Sequence, residues 1–270
     1  MNAALYKQML KVKLKGFLNF AFGSAFYILL MFWLYPGIAR NAKSIDELVR
    51  SMPESVGKAF GLANFNGSAE AFISGEYYGL ILVLLLAIVC VQLSTQLMAK
   101  LVDQGSMAYL LSTPTTRAKV ALTQAAVLVT GLFLIMGVTT LAGIAGNGWL
   151  LRGDYVFHTG KFLQLNASAF LLFFAAAGIT FLVSSLCNDE KRAAGISGTI
   201  VFLFFSLDLI GKISDKTDWL RDFSLFSLYR PDEIIGGSAN LAVNLPILAA
   251  VGLIAFGLAV MLFRRRDLPL

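Results

Sequence analysis

The sequence has few charged residues. Asp, Glu, Lys and Arg make up 14% of the 270 residues, against about 25% in soluble domains. Hydrophobic residues make up 57%, where soluble domains have about 45–50%. This composition excludes most soluble enzymes and predicts a chain that folds in lipid. The net charge of +6 requires no nucleic-acid partner, because membrane proteins carry their own excess of Lys and Arg on the cytoplasmic side.

Motifs for catalysis and for nucleotide or metal binding are also missing. Cys90 and Cys187 both lie in apolar runs, which offer neither a disulfide framework nor a zinc site. The single histidine, His158, has no HExxH context, so we expect a solvated loop residue. No Gly-x-x-x-x-Gly-Lys-Ser/Thr phosphate loop occurs, so any ATP must be bound by another subunit. These absences predict a chain that is not an enzyme and binds no cofactor of its own.

Long apolar stretches give the predicted architecture. A helix that crosses the hydrocarbon core of about 30 Å needs about 20 residues with almost no charge. Six stretches meet this requirement, at about 17–35, 78–98, 120–145, 165–187, 194–211 and 243–263. The predicted fold class is an all-α membrane protein with a single transmembrane domain over residues 1–270. Residues 188–193 form a link so short that the fourth and fifth spans must be antiparallel neighbours.

Charge is distributed unevenly between the segments that connect the spans. Six spans place both termini on one side, together with the segments 1–16, 99–119, 188–193 and 264–270. These segments hold 12 Lys or Arg and four acids. The segments on the other side hold 10 Lys or Arg and 11 acids, and they are 36–77, 146–164 and 212–242. The positive-inside rule then predicts a multi-pass protein of the plasma membrane with both termini in the cytoplasm.

The first 16 residues form a predicted amphipathic helix at the membrane interface. Apolar residues within 5–14 fall on one arc of a helical wheel, while Lys7, Lys11 and Lys15 gather on the opposite side. Lys13 lies in the apolar arc and is expected to extend toward the lipid headgroups. The helix either anchors the first span to anionic lipid or binds a cytoplasmic partner. A cleaved signal peptide is disfavoured, because the apolar run is about 20 residues long rather than about 7–15.

The cytoplasmic loop 99–119 carries signals for a short crosswise helix. Gly105 can end the extension of the second span, and Ser106 can cap a new helix over 107–112. Thr113-Pro114 is suited to the start of the third span. Four apolar residues of the loop lie at or outside the membrane boundary, where lipid or another protein must cover them. These residues are Met107, Tyr109, Leu110 and Leu111. An ordinary interfacial turn is the alternative interpretation of the loop.

The same loop resembles one found in permease subunits of ABC (ATP-binding cassette) transporters of the type-2 exporter class. That family commonly shows an acidic residue, a Gly, an apolar residue and a Leu-Leu-Ser-x-Pro-x-x-Arg run between its second and third spans. The matching residues are Asp103, Gly105, Met107, Leu110, Leu111, Ser112, Pro114 and Arg117. The family often has an acid pair before the Gly, whereas only Asp103 stands here. Residues 223–237 and 263–268 are similar to the family's external segment and basic C-terminus.

The resemblance implies a function and a set of partners. In that family the loop is a coupling helix that inserts into a groove of a separate cytoplasmic ATPase, which binds ATP and Mg²⁺. The chain would then be a permease subunit, paired in lipid with a second permease copy in a homodimer or a heterodimer. Its cargo would be an antibiotic, a peptide or another amphiphile, with sodium as a lesser alternative. A different class of function is an ATP-independent secondary transporter or a multispan membrane enzyme, although the sequence shows neither repeated halves nor a catalytic set.

Asp208 is the one clear acid inside a predicted span. A carboxylate in hydrocarbon is costly, which makes a substrate or ion contact one interpretation. The favoured alternative is that Asp208 reaches interfacial water or pairs with Lys212 one helical turn later.

Other residues are candidates for the translocation path. Gln92 and Gln96 on the second span can line a path, although hydrogen bonds between helices are the more ordinary role. Phe223 and Phe226 belong to the external segment 212–242, which is predicted to enter the outer leaflet in part and to gate the exit. Irregular backbone at that depth requires cover by protein or water.

Overall fold

The chain is a helical bundle in the computed structural model, which describes residues 1–40, 68–151, 155, 157–213 and 215–267. The α-helices of these ranges are α1 (Ala3–Arg40), α2 (Ala69–Ile73), α3 (Leu82–Leu97), α4 (Ala99–Asp103), α5 (Ser106–Leu111), α6 (Arg117–Gly146), α7 (Thr159–Leu186), α8 (Glu190–Ile213), α9 (Pro231–Gly236) and α10 (Leu241–Arg265). The π-helical segments are Ser74–Ile81, which joins α2 to α3, and Asn147–Leu151, which extends α6. The 3₁₀ segments between α8 and α9 are Asp215–Phe223 and Leu225–Leu228. The described ranges contain no strand.

Six helical stretches of the described residues are long and apolar enough to cross a membrane. Their mean hydropathy lies between 1.8 and 2.5. They are Ala3–Arg40, Ala69–Asp103, Arg117–Leu151, Thr159–Leu186, Glu190–Ile213 and Leu241–Arg265. Each predicted span lies within a separate stretch, apart from Cys187, which follows the last residue of α7. The predicted all-α class with six spans is therefore confirmed.

The first helix shows no break between the predicted interfacial segment 1–16 and the first span. α1 is continuous, and its N-terminal part packs on α6. The hydroxyl oxygens of Tyr6 and Thr130 lie 2.8 Å apart, and the backbone N–H of Asn2 donates to Thr123 Oγ1 at 2.9 Å. Contact with another helix thus covers part of the apolar arc that the wheel pattern assigned to the lipid interface, while Val12 and Leu14 stay exposed.

Glycines let the long helices approach one another closely. A side chain at Gly131 of α6 would start 2.3 Å from the ring of Phe17 on α1. Between α7 and α10, a Cβ at Gly178 would lie 2.9 Å from the carbonyl oxygen of Gly252. Transmembrane helices associate largely through such close van der Waals contact, because lipid gives them no hydrophobic drive to pair.

The third span continues beyond residue 145, where the Gly- and Asn-rich sequence predicts its end. α6 reaches Gly146 and then continues as the π-helical segment Asn147–Leu151. A Cβ at Gly146 would lie 2.8 Å from the ring of Phe32. The glycine therefore serves close contact with α1 and does not mark a turn.

One end of the bundle, the basal end, joins four segments through hydrogen bonds. The N-terminus is held there because Asn2 Nδ2 donates to Thr115 Oγ1 at 2.8 Å. Arg117 donates to the carbonyl of Arg266, and Arg266 donates to the side-chain oxygen of Asn188. The segments that the charge count assigns to a common side are thus together in space.

The opposite end, the distal end, is closed by aromatic rings and a buried acid. Tyr35 of α1 meets Tyr155 edge to face, with 5.0 Å between the ring centroids. Glu70 is 5% exposed and its carboxylate accepts from the backbone N–H of His158. The imidazole Nδ1 of His158 lies 3.2 Å from Glu70 Oε1. His158 is half-exposed, as expected of a loop residue, and in addition contacts Glu70.

Candidate functional site

The short helix α5 begins after a reversal at Gly105. This residue has φ 68°, in the left-handed region that glycine adopts without steric cost. Gly105 follows α4 and directs the chain into α5. This helix begins at Ser106, one residue before the predicted start at 107. Gly105 therefore ends the second span as predicted, while Ser106 is the first residue of α5 and not its cap.

The apolar residues of α5 have unequal exposure. Met107 is fully buried in the core of the bundle, so this chain covers it and no lipid or partner is required. Leu110 and Leu111 are partly buried against the same core. Tyr109 is 80% exposed. Of the four apolar residues that the sequence predicts to need cover from lipid or another protein, Tyr109 is the one that projects freely from the bundle.

The turn after α5 is closed by its own side chains. Ser112 Oγ donates to the carbonyl of Tyr109 at 2.8 Å, and Thr113 Oγ1 donates to that of Leu110 at 2.6 Å. Pro114 is exposed in this turn.

The third span begins later than the Thr113-Pro114 pair predicts. Its cap is Thr116, whose Oγ1 accepts from the backbone N–H of Lys119 at 3.3 Å. Thr113 lies in the preceding turn, where its hydroxyl donates to the carbonyl of Leu110 at the end of α5.

Asp103 ties the loop to the fifth span. Its Oδ2 accepts from the backbone N–H of Glu190, the first residue of α8, at 3.1 Å. The first N–H groups of a helix have no partner within it, and a carboxylate there also complements the helix dipole. Lys100 adds an ion pair with Glu190 at 3.1 Å. Two residues of the loop 99–119 therefore hold the start of α8.

Arg117 and Arg266 tie the end of the loop to the ends of α10 and α7. Arg117, at the start of α6, donates to the carbonyl of Arg266 after α10. The guanidinium of Arg266 donates to the carbonyls of Ser185 at 2.6 Å and Cys187 at 3.2 Å, and to Asn188 Oδ1. It thereby satisfies carbonyls at the end of α7, which lack partners within the helix. Sequence reasoning counted Arg266 only as one charge in the basic terminus.

An open groove lies between α3 and α8, on the side of the bundle where α8 is poorly covered. Its volume is about 780 Å³, within the range of about 300–1,000 Å³ typical of small-molecule sites. The predicted path residues Gln92 and Gln96 both line it. Phe202 of α8, which also lines it, is 68% exposed.

Lys13, which the sequence predicted to contact lipid headgroups, lies beside the basal end of this groove through its contact with Gln96. Its Nζ donates to Gln96 Oε1 at 2.7 Å. The continuous α1 brings the lysine beside α3, where this amide oxygen accepts one of the three N–H donors of its ammonium group.

Asp208 lies near the distal end of the groove and is paired. Its side chain is 6% exposed, with Oδ2 2.6 Å from Lys212 Nζ. The expected pairing one turn along the helix is thus present. A second cation, Arg221, approaches Oδ1 at 3.3 Å, because the 3₁₀ segment Asp215–Phe223 folds back over α8.

The two aromatic gate candidates differ in their surroundings. Phe226 is 3% exposed, and its ring centroid lies 5.9 Å from that of Phe205, which lines the groove. Asp208 and Phe226 also share a small cavity of about 20 Å³. Phe223 is 66% exposed and meets Trp219 edge to face. The structure therefore places Phe226 beside the groove and Phe223 on the surface.

Comparison with known proteins covers nearly the whole chain. A family model described as ABC-2 family transporter protein matches residues 7–268. The match includes the loop that carries α5 and all six apolar stretches, apart from residues 3–6 of the first. No curated protein matches the chain.

Proposed function

The chain belongs to the ABC-2 family of transporter proteins, and from this membership we propose that it is the permease subunit of an ATP-driven exporter. It is a multi-pass membrane protein. A separate ATPase binds ATP and Mg²⁺ and docks at the basal end, which faces the cytoplasm. Two permease copies, in a homodimer or a heterodimer, form the path across the plasma membrane.

The observation that carries this proposal is the exposed Tyr109 on a helix that lies between two residues bonded to other spans. Aromatic side chains at the centre of a contact commonly contribute much of its binding energy. Asp103 and Arg117, on either side of α5, bond to residues at the ends of α8 and α10. A protein that binds Tyr109 therefore acts on several spans through short, direct contacts.

The mechanism follows from these contacts. ATP binding closes the ATPase dimer and displaces α5. A small displacement of this kind can be amplified into the movement of whole helices, because packed helices shift as rigid units. Asp103 transmits the displacement to α8, which forms one wall of the groove. The groove then opens toward the distal end, where Phe226 lies against Phe205. An antibiotic, a peptide or another amphiphile leaves by this path.

Co-purification with a candidate ABC ATPase from the same organism tests the proposal. The wild-type chain should bind that ATPase and raise its rate of ATP hydrolysis. Tyr109→Asp should lower the stimulation at least about tenfold, as expected for a contact anchor, while the protein level in the membrane stays unchanged because Tyr109 is exposed.

Two further variants separate coupling from folding. Tyr109→Phe keeps the ring and should retain stimulation. Met107→Asp places a charge in the core and should reduce the amount of folded protein. A wild-type chain that does not bind the ATPase, or a Tyr109→Asp variant that stimulates normally, contradicts the proposal.

A further inference from the structure

The groove between α3 and α8 changes from apolar to polar along its length. The two helices run in opposite directions, so residues late in α3 and residues early in α8 both lie toward the basal end. Toward the distal end the walls are apolar, with Val83 and Ile88 facing Val201 and Phe202. Val83 and Gln96 are about 20 Å apart along α3, at about 1.5 Å per residue. The groove is thus long enough for an extended hydrocarbon chain.

Polar side chains from both walls concentrate at the basal end. Those on α3 are Gln92, Thr95 and Gln96, and those on α8 are Glu190 and Lys191. The hydroxyl oxygen of Thr95 is buried without a hydrogen-bond partner among the described residues. Rotation about its Cα–Cβ bond exchanges the methyl and hydroxyl groups, which would turn this unused donor toward a bound polar group.

The basal end of the groove has an excess of positive charge. Its acid, Glu190, is already paired with Lys100 at 3.1 Å. Lys191 lines the groove, and Lys13 bonds to the neutral amide of Gln96. Within the part of the chain that the structure describes, neither lysine has a carboxylate within 4.0 Å. Two cations there are therefore available to an anion.

We propose that this groove binds an anionic amphiphile. The hydrocarbon part lies along the apolar walls toward the distal end, and the phosphate or carboxylate headgroup lies at Lys13 and Lys191. Thr95 donates to the headgroup or to the polar group next to it. This assignment rests on the proposed function, because it names the chemical class of the exported substrate.

The charge also argues against a second copy as the sole occupant of the groove. A symmetric partner presents the same surface, and so it would bring the same two lysines to the basal end. It would add positive charge and leave the lysines without an anion. A ligand with an apolar chain and a negative headgroup satisfies both parts of the groove.

Equilibrium binding to the purified full chain in a neutral maltoside detergent tests the proposal without any ATPase. The probes are oleoyl lysophosphatidic acid, oleoyl lysophosphatidylcholine with the same acyl chain, and inorganic phosphate. The anionic lipid should bind about tenfold more tightly than the zwitterionic one, because the choline group of the latter places a positive charge beside its phosphate and leaves the headgroup with no net negative charge to offset the two lysines. Inorganic phosphate, which has no hydrocarbon part, should not compete.

The variants localise the binding. Lys13→Gln and Lys191→Gln together should reduce the preference for the anionic lipid about fivefold or more. Gly198→Phe, which fills open space on the α8 wall, should weaken the binding of both lipids. Lys119→Gln removes an exposed basal lysine outside the groove and should change nothing.

Several outcomes overturn the assignment. These are equal affinity for the two lipids, full competition by inorganic phosphate, or a double lysine variant that keeps its preference. Loss of dimerisation with unchanged lipid binding in Gly198→Phe would assign the groove to a second copy instead.

Stimulation of the ATPase is measured separately. A chain that stimulates the ATPase but shows no headgroup preference refutes only the substrate class, whereas one that binds the lipid but no ATPase refutes the proposed function.

Discussion

Asp103 accepts a hydrogen bond from the backbone N–H of Glu190, 87 residues further along the chain, at 3.1 Å. Asp103 ends α4, which Gln104 and Gly105 connect to α5, and Glu190 begins α8. The bond therefore joins the segment that carries the exposed Tyr109 to a helix that lines the groove. No intervening element has to move for a displacement of α5 to reach α8.

Replacing Asp103 with Ala should loosen the first turn of α8 and weaken coupling. The loss of a side-chain oxygen at a helix N-terminus costs about 1 kcal/mol. Asp103→Asn keeps an acceptor and should show a smaller effect. Hydrogen exchange of the amides at 190–193, followed by mass spectrometry, measures the loosening. Unchanged exchange in Asp103→Ala would show that the bond does not stabilise α8.

Replacing Arg266 with Gln should destabilise the basal end. Arg266 bonds to Ser185, Cys187 and Asn188, and these bonds hold the end of α10 on the link between α7 and α8. Their loss should lower the melting temperature of the detergent-purified protein by about 3–6 °C. The matched control is Arg264→Gln, an exposed arginine in the last turn of α10. An equal melting temperature in the two variants would contradict the role of Arg266.

The six spans and the i,i+4 pair of Asp208 and Lys212 could be predicted because both depend on local sequence. A lipid core requires long uncharged helices, and a helix brings residues four apart to the same face. The contacts of Asp103 with Glu190 and of Lys13 with Gln96 could not be predicted this way. These contacts depend on which helices pack against one another, and the apolar character of a stretch does not show which helix will lie beside it.

The burial of Met107 shows a second limit of the sequence pattern. An apolar residue in a loop needs cover, but its type does not say whether the same chain or a partner provides it. Here α5 lies against the bundle, and Met107 enters the core while Tyr109 stays exposed. Of the four apolar loop residues that the sequence predicts to need cover from lipid or another protein, the structure therefore leaves Tyr109 as the one that is largely exposed.

The glycine at 211 should be needed for the pairing of Asp208 with Arg221. A Cβ there would lie 2.2 Å from Arg221 Cγ, so Gly211→Ala must displace the arginine and break its contact with Asp208. Removing a partner from a largely buried carboxylate should destabilise the protein by about 2 kcal/mol.

The matched control for this variant is Gly195→Ala on the same helix. Position 195 has open space around it, and alanine is the better helix former, so this change should be neutral or stabilising by up to about 1 kcal/mol. Thermal unfolding of the two variants gives the comparison. When Arg221 is already replaced by Gln, Gly211→Ala should lower the stability little further. If it still lowers the stability by the full amount, the glycine acts through another contact.

Replacing Asp232 with Asn should stabilise the protein near neutral pH, and the gain should shrink in acid. Burial raises the pKa of the Asp232 carboxyl above its ordinary value of 3.8, although Lys212 and the hydroxyl of Ser74 oppose the shift. A raised pKa means that the folded protein holds this proton more tightly than the unfolded chain. Ionisation of Asp232 therefore costs stability as the pH rises above about 4 through the raised value.

The asparagine variant avoids that cost and can still hydrogen-bond to Ser74. At about pH 7 its melting temperature should exceed that of the wild type by about 2 °C, and the difference should diminish as the pH is lowered toward about 4. The control is Glu233→Gln on the same helix, which removes an ion pair with Arg230 at 2.8 Å and should give no such gain. A difference between Asp232→Asn and the wild type that stays constant with pH would show that titration of this carboxyl does not limit stability.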